Sequence, residues 1–177
     1  MDNGRYENGQ ALPIPRPPHA TCCAVVTAST QQASRMPVFQ QAARLRGEMK
    51  SGRCLCGAVR YELRGKSTSV TYCHCSMCRR WHGHAGAYAA VDRADFVLTE
   101  QRGLKWYASS TNVRRGFCAE CGSSLFFDQA DLPKMAFCAG TLDEPTDLRS
   151  KAHIFVASKG DYYTIPDDGL VRFDELP

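Results

Sequence analysis

Three cysteines lie within six residues near the middle of the chain, at Cys73, Cys75 and Cys78. Residues 73–78 read Cys-His-Cys-Ser-Met-Cys, which is too compact for three independent packing roles. Thiolates at this spacing can turn their sulfurs inward and share one ion at the Zn–S distance of about 2.3 Å. The spacing therefore predicts a metal-binding loop.

Two further cysteine pairs flank this loop, Cys54/Cys56 upstream and Cys118/Cys121 downstream. The loop and the two pairs together supply seven thiols, one short of two closed tetrahedra. Structural zinc is usually held by four protein ligands, whereas catalytic zinc commonly keeps three and leaves a position open. The count favours a site of four and a site of three, and spacing alone leaves the pairing undecided.

Three segments carry a family resemblance. They are residues 52–61 (Gly-Arg-Cys-Leu-Cys-Gly-Ala-Val-Arg-Tyr), 73–79 (Cys-His-Cys-Ser-Met-Cys-Arg) and 117–122 (Phe-Cys-Ala-Glu-Cys-Gly). In order and spacing the chain resembles the glutathione-dependent formaldehyde-activating enzyme family, which also includes centromere protein V, from about residue 50 to about residue 173. The resemblance also places tyrosine, within residues 161–173, where the family has tryptophan, which bears on substrate identity rather than on fold.

The resemblance implies two zinc ions per chain and a role for each cysteine cluster. It implies a structural zinc on four residues, Cys54, Cys56, Cys118 and Cys121, and a catalytic zinc on three, Cys73, Cys75 and Cys78. It also implies a thiol substrate, glutathione or a related small thiol. Arg79 matches the family motif, and because arginine pairs bidentately with carboxylates it is the first choice for anchoring that substrate. The alternative is that Arg79 is a structural partner of the anionic metal cluster.

Many short alternating segments predict an all-β domain. The clearest has Val59, Tyr61 and Leu63 on one side, and one helical turn is expected at 76–81. The other expected strands are 70–72, 87–91, 96–98, 104–107, 113–117, 124–127, 135–138 and 153–156. The resemblance implies that these short antiparallel strands form a small, zinc-stabilised β-tent.

Residues 1–48 differ from residues 49–177, the expected zinc domain. A proline-rich run at 13–18 and weak periodicity predict poor order. Arginine without acidic residues between Glu7 and Glu48 is a composition shared with transit peptides, but a start of translation at Met49 is the favoured interpretation. With no secretion signal and no run of about 18 apolar residues, we expect a cytoplasmic protein that binds no membrane.

The remaining polar residues near the clusters have two interpretations each. His74 is predicted to lie beside the metal or to face solvent rather than to bind the ion. His82 and His84 either fill the fourth position or lie in a turn. Arg114 and Arg115 are expected on a solvated face, with charge compensation of the second cysteine pair as the alternative. Cys138 is expected to be a small buried residue.

The function that follows is a zinc-dependent carbon–sulfur lyase acting on glutathione or a glutathione adduct, such as S-hydroxymethylglutathione formed from formaldehyde. The alternative is a non-catalytic, zinc-stabilised binding module. The net charge of +4 lies mainly in residues 1–50, so a nucleic-acid partner is not expected. A homodimer is left open. A disulfide or redox system is disfavoured, because ten cysteines without a secretion signal indicate reduced thiols.

Overall fold

The computed structural model describes residues 49–177 and, before them, only the backbone of two short strands. These strands, β1 (Tyr6–Glu7) and β2 (Gln10–Ala11), pair antiparallel. The chain divides after Arg35 into two units, and β1 and β2 belong to the first. The prediction of poor order over residues 1–48 otherwise lies outside the described residues. The described part contains no helix long and apolar enough to cross a membrane.

Within residues 49–177, the described part of the second unit, there are one α-helix, α1 (Ser76–His82), and two sheets. Its strands are β3 (Lys50–Arg53), β4 (Arg60–Leu63), β5 (Val70–Cys73), β6 (Gly86–Asp92), β7 (Phe96–Glu100), β8 (Leu104–Ser110), β9 (Val113–Cys118), β10 (Ser124–Gln129), β11 (Lys134–Cys138), β12 (Ser150–Ile154) and β13 (Val171–Arg172). Short 3-10 turns occupy Arg93–Asp95, Ala139–Thr141 and Val156–Ser158. The all-β prediction is confirmed, with the single helix at the predicted place.

The eight-stranded sheet has the order β13-β12-β5-β6-β11-β10-β9-β8, and the smaller sheet has the order β3-β4-β7. Most neighbouring strands are antiparallel, as predicted. The exceptions are β12 with β5 and β12 with β13, which are parallel. The β5–β12 pairing sets Ile154 beside Cys73 and His153 beside Tyr72, so it brings a late segment of the chain to the cysteine loop.

Aromatic side chains of both sheets meet in the core. Tyr61 of β4 is fully buried and packs edge-on against Phe126 of β10, with ring centroids 5.3 Å apart. Phe137 of β11 lies 6.0 Å from the same tyrosine ring. The Tyr61 hydroxyl hydrogen-bonds Thr141 at 2.8 Å, so the one polar atom of this ring is satisfied inside the core. The apolar face predicted for β4 therefore packs against the larger sheet and joins the two sheets.

Candidate metal centres

The first cluster consists of four cysteine sulfurs that all lie within 4.8 Å of one another, those of Cys54, Cys56, Cys118 and Cys121. The Cys56 sulfur is 3.6 Å from that of Cys54 and 3.7 Å from that of Cys118. A tetrahedral ion with Zn–S bonds of about 2.3 Å separates its ligand sulfurs by about 3.8 Å. Donor type, number and separation therefore fit one zinc ion closed by protein ligands.

Two tight turns shape this cluster. Gly57 and Gly122 directly follow the two cysteine pairs and have φ of 79° and 76°, a conformation that glycine adopts without strain. The turns let the Gly57 amide donate to the Cys54 carbonyl at 3.2 Å and the Gly122 amide to the Cys118 carbonyl at 2.8 Å. The amide of Val59 donates to the Cys54 sulfur at 3.2 Å. A glycine with positive φ thus shapes the turn at each of the two cysteine pairs.

The second cluster consists of Cys73, Cys75 and Cys78, whose sulfurs also lie within 4.8 Å of one another. Cys73 ends β5, Cys75 caps the N-terminus of α1, and Cys78 lies in the first turn of that helix. The Cys78 amide donates to the Cys75 sulfur at 3.4 Å. Cys73 and Cys78 are buried, whereas Cys75 is half-buried, and no fourth cysteine, histidine or carboxylate of residues 49–177 joins the group. Three thiols and one free position fit a zinc site that is open to a ligand.

A buried arginine faces this open cluster. Arg115 of β9 is only 2% exposed, and its guanidinium donates to the Cys78 sulfur at 3.8 and 3.9 Å and to the Tyr88 hydroxyl at 3.1 Å. The hydrogen bond with Cys73 and the charge of Arg115, against burial, lower the pKa of the Cys78 thiol to about 6. The hydrogen bond with Cys78, followed by burial, raises the pKa of Cys73. Both effects make Cys78 the most acidic thiol of the cluster.

The solvated-face prediction is wrong for Arg115, which is buried because it is the counter-ion of the Cys78 thiolate. The compensation that the sequence suggested does occur, but at the three-cysteine cluster rather than at the second pair. Arg114 instead donates to the buried carboxylate of Asp128 at 2.7 Å and stacks on the ring of Trp106. The Arg114 side chain is still 54% exposed, so the prediction of a solvated face is correct for Arg114.

The histidines near the loop are engaged elsewhere. His74 is 3% exposed. Its Nδ1 lies 2.7 Å from the Tyr163 hydroxyl, and its Nε2 lies 2.8 Å from His153 Nδ1. His74 therefore lies beside the cluster, one of its two predicted positions, and neither nitrogen is left for a metal. His82 Nε2 is 2.6 Å from the Tyr88 hydroxyl. His84 stacks against Tyr163 with ring centroids 4.3 Å apart.

Sequence reasoning missed the roles of His153, Tyr163, Tyr88 and Asp168. One local feature pointed to His153: this histidine begins an otherwise apolar segment, residues 153–156, which read His-Ile-Phe-Val. Cys138 is buried, as predicted, and does not belong to either cysteine cluster. Cys138 lies close enough to Tyr88 and to Cys78 to interact electrostatically with both.

A surface cleft of about 350 Å³ opens beside the three-cysteine cluster. It is lined by two arginines, two aromatic rings and two smaller side chains: Arg80, Arg115, Trp81, Tyr107, Met77 and Ser109. Met77 belongs to the cysteine loop, and Arg115 contacts Cys78, so the cleft adjoins the open cluster. Arg79 does not line this cleft, and its Nε donates to the Ser158 carbonyl at 3.1 Å.

Two known proteins are similar to this chain. A protein of Schizosaccharomyces pombe named as an uncharacterized lyase is 31% identical over 77 residues, which is 43% of this chain and 55% of that protein. The chain thus spans about half the length of this curated relative. A crystal structure of a Rhodobacter sphaeroides protein aligns with a TM-score of 0.48 and 21% identity, covering 70% of this chain and 98% of that one.

The family comparison covers both cysteine clusters. The model of the family described as glutathione-dependent formaldehyde-activating enzyme matches residues 49–158, which include all seven clustered cysteines and begin where the described domain begins. Because this match spans more than half of the chain, the chain belongs to the glutathione-dependent formaldehyde-activating enzyme family.

Proposed function

We propose that the protein is a zinc-dependent carbon–sulfur lyase that acts on glutathione or a glutathione adduct. The observation that carries the proposal is the contrast between the clusters, one with four mutually close thiols and one with three. Zinc bound to Cys73, Cys75 and Cys78 would lower the pKa of a coordinated substrate thiol, so that the thiol is held as its thiolate. Family membership and a relative named as a lyase support this class of reaction.

The proposed reaction needs few groups beyond the thiolate. The sulfur of the thiol forms a bond to the carbonyl carbon of formaldehyde, the electron pair of the C=O π bond moves to oxygen, and this oxygen takes up the proton that the thiol released. The reverse reaction breaks the same carbon–sulfur bond. The chain's own contribution is to orient the substrate and balance its charge, and Arg115 supplies a fixed buried cation 3.8 Å from the Cys78 sulfur.

Arginine side chains around the cluster are the proposed anchors for the two carboxylates of glutathione. Arg79 is the anchor proposed from the sequence, and no carboxylate among residues 49–177 pairs with it. Arg80 offers a second cation on the side of the cleft. Since Arg79 bonds the Ser158 carbonyl and Arg80 lines the cleft, each arginine is tested separately as an anchor.

Cobalt substitution tests the function directly. The zinc in purified full-length protein is counted, replaced by cobalt, and titrated with glutathione while the visible spectrum is followed. We expect two ions per chain and a spectral change from one of them, and we expect a Cys75→Ser variant to lose that change. Two ions with no response to any thiol would refute the proposal in favour of a binding module.

The same titration separates the two anchors. Arg79→Gln is compared with Arg80→Gln, using glutathione and 2-mercaptoethanol, which has no carboxylate. Replacing an arginine that anchors glutathione should lower the affinity of the protein for glutathione roughly 10- to 100-fold, the range for hydrogen bonds to charged groups. The affinity for 2-mercaptoethanol should not change. Equal losses for both thiols would indicate a structural role for the arginine that was changed.

A further inference from the structure

Four polar side chains form a continuous row beside the three-cysteine cluster. The Asp168 carboxylate lies 3.1 Å from His153 Nε2, His153 Nδ1 lies 2.8 Å from His74 Nε2, and His74 Nδ1 lies 2.7 Å from the Tyr163 hydroxyl. The two imidazoles are 3% and 4% exposed. Ring contacts hold them in place, since His153 stacks on Tyr72 and His74 stacks on Tyr163.

The number of hydrogens fixes the direction of this row. A carboxylate only accepts hydrogen bonds, and a neutral imidazole has one N–H. His153 Nε2 must therefore donate to Asp168, which leaves its Nδ1 to accept from His74 Nε2. His74 Nδ1 then accepts from the Tyr163 hydroxyl. In this neutral row each of the three contacts contains one hydrogen.

The direction of the row determines what Tyr163 can offer to a ligand. Its one hydroxyl hydrogen is directed inward to His74, so only the lone pairs of its oxygen remain. Tyr163 is half-buried, His84 packs on its ring, and the Lys159 ammonium lies 5.8 Å from the ring centroid. Lys159 donates only to two backbone carbonyls, and Arg79 donates to a third. This surface therefore presents one acceptor near Lys159, and the charges of Arg79 and Cys73 also act on the Tyr163 hydroxyl.

We propose that Tyr163 is a substrate-contacting residue that accepts a hydrogen bond from an N–H or O–H group of the thiol substrate, oriented by Asp168, His153 and His74 as positioning residues. The inference rests on the proposed function for the identity of the ligand, since glutathione carries amide and ammonium donors. It adds to the open cluster a preference for thiols with a hydrogen-bond donor over simple alkyl thiols.

Nuclear magnetic resonance of the zinc-loaded full chain tests the direction of the row without any substrate. Correlation of ring nitrogens with ring protons reports which nitrogen carries the hydrogen. We expect Nε2–H with bare Nδ1 for both His74 and His153. Asp168→Asn should mix the tautomers, because an amide can accept from or donate to His153. Nδ1–H at either histidine of the unaltered protein would overturn the proposal.

Paired tyrosine variants test the contact with substrate. Tyr163→Phe removes the hydroxyl and keeps the ring, and Tyr162→Phe is the matched control because the Tyr162 hydroxyl bonds only the Gly83 carbonyl at 3.4 Å. In the cobalt titration, Tyr163→Phe should weaken glutathione binding about 10-fold and leave ethanethiol binding unchanged, as expected for one lost hydrogen bond. The control should alter neither.

The outcomes separate this inference from the proposed function. An equal loss for both thiols, or no loss for either, would refute the contact while leaving the thiol site intact. A cobalt spectrum that responds to no thiol would refute the proposed function and the contact together, whereas the tautomer result would still decide the direction of the row.

Discussion

Arg115 is a buried cation that faces a buried thiolate, and this pair defines the charge balance of the site. Three thiolates and one Zn²⁺ carry a net charge of −1, which the guanidinium of Arg115 offsets at 3.8 Å. Burying a charge is costly unless it is paired and hydrogen-bonded, and both conditions are met here by Cys78 and Tyr88. The position of Arg115 therefore depends on the cluster as much as the cluster depends on Arg115.

The same arginine affects a histidine on the other side of Tyr88. Burial and, secondarily, the charge of Arg115 lower the pKa of His82 to about 4 from an ordinary value near 6.5. Below pH 6.5 the unfolded chain gains a proton here that the folded chain does not. The stability that this neutral histidine contributes is therefore complete above pH 6.5 and is lost as the pH falls towards 4.

His82→Gln tests this dependence, because glutamine can still bond the Tyr88 hydroxyl but does not titrate. At pH 7.5 the unaltered protein should be more stable relative to the variant than it is at pH 5, by roughly 1–2 kcal/mol. Thermal unfolding at the two pH values measures this change as a smaller difference in Tm at pH 5. Acid release of zinc affects both proteins equally and cancels in this difference. A difference that does not vary with pH would contradict the lowered pKa.

At this scale the sequence predicted residue types better than residue partners. The seven cysteines could be named from their spacing, whereas Arg115 was expected in solvent because its neighbour Arg114 and the alternation of β9 gave no sign of a thiolate opposite it. The partner, Cys78, is 37 residues earlier. Partners so far apart along the chain are set by strand order, which a local pattern does not contain.

Strands β6, β9 and β10 are joined around one buried carboxylate. Asp128 of β10 accepts from Arg114 of β9 at 2.7 Å and from Arg93, directly after β6, at 2.5 Å, while only 5% of the Asp128 side chain is exposed. These arginines lower the pKa of Asp128 against the effect of burial. The three charges connect segments that are not all neighbours in the sheet.

Asp128→Asn is expected to destabilise the domain by about 1–3 kcal/mol, the cost of breaking hydrogen bonds between charged groups when both arginines keep partial access to water. Differential scanning calorimetry of the zinc-loaded protein measures this loss. Asp131→Asn is the control, since Asp131 accepts only from exposed Asn112 at 3.1 Å and should change Tm little. If the two variants lost equal stability, Asp128 would not be the centre of this contact.

The positions of the strands and of the helix were largely predictable from the sequence, whereas the pairing of the strands was not. Alternation in β4 and the capped turn of α1 follow from local residue order. The parallel pairing of β5 with β12 joins Tyr72 to His153 across 80 intervening positions, and the sequence of neither strand indicates its neighbour. The row from Asp168 to Tyr163 depends on that pairing, and this is why the sequence showed the metal loop but not its polar surroundings.

At the scale of the whole molecule, the four-cysteine cluster joins the two sheets. Cys54 directly follows β3 of the smaller sheet, and Cys118 ends β9 of the larger one. A structural zinc contributes about 10–16 kcal/mol of apparent binding free energy in zinc-finger peptides, whereas a whole domain is typically stable by about 5–15 kcal/mol. The free energy of zinc binding at the four-cysteine site would thus be large enough to decide whether the domain folds.

Single replacements in each cluster should therefore have unequal consequences. Cys118→Ser is expected to unfold the domain at room temperature, seen as loss of near-ultraviolet circular dichroism. Cys75→Ser should keep that spectrum and retain one zinc ion per chain, because Cys75 is half-buried and holds only the open site. A folded Cys118→Ser protein, or an unfolded Cys75→Ser protein, would reverse the roles proposed for the two clusters.

The parallel pairing of β12 with β5 also sets an order of assembly during synthesis. A nascent chain that has emerged as far as Cys121 already carries all seven clustered thiols, yet it lacks His153, Tyr163 and Asp168. Because chains emerge from the ribosome N-terminus first, metal can reach both clusters before the row beside Cys73 exists. The three-cysteine loop thus stays uncovered on that side until the last strands add to the edge of the sheet.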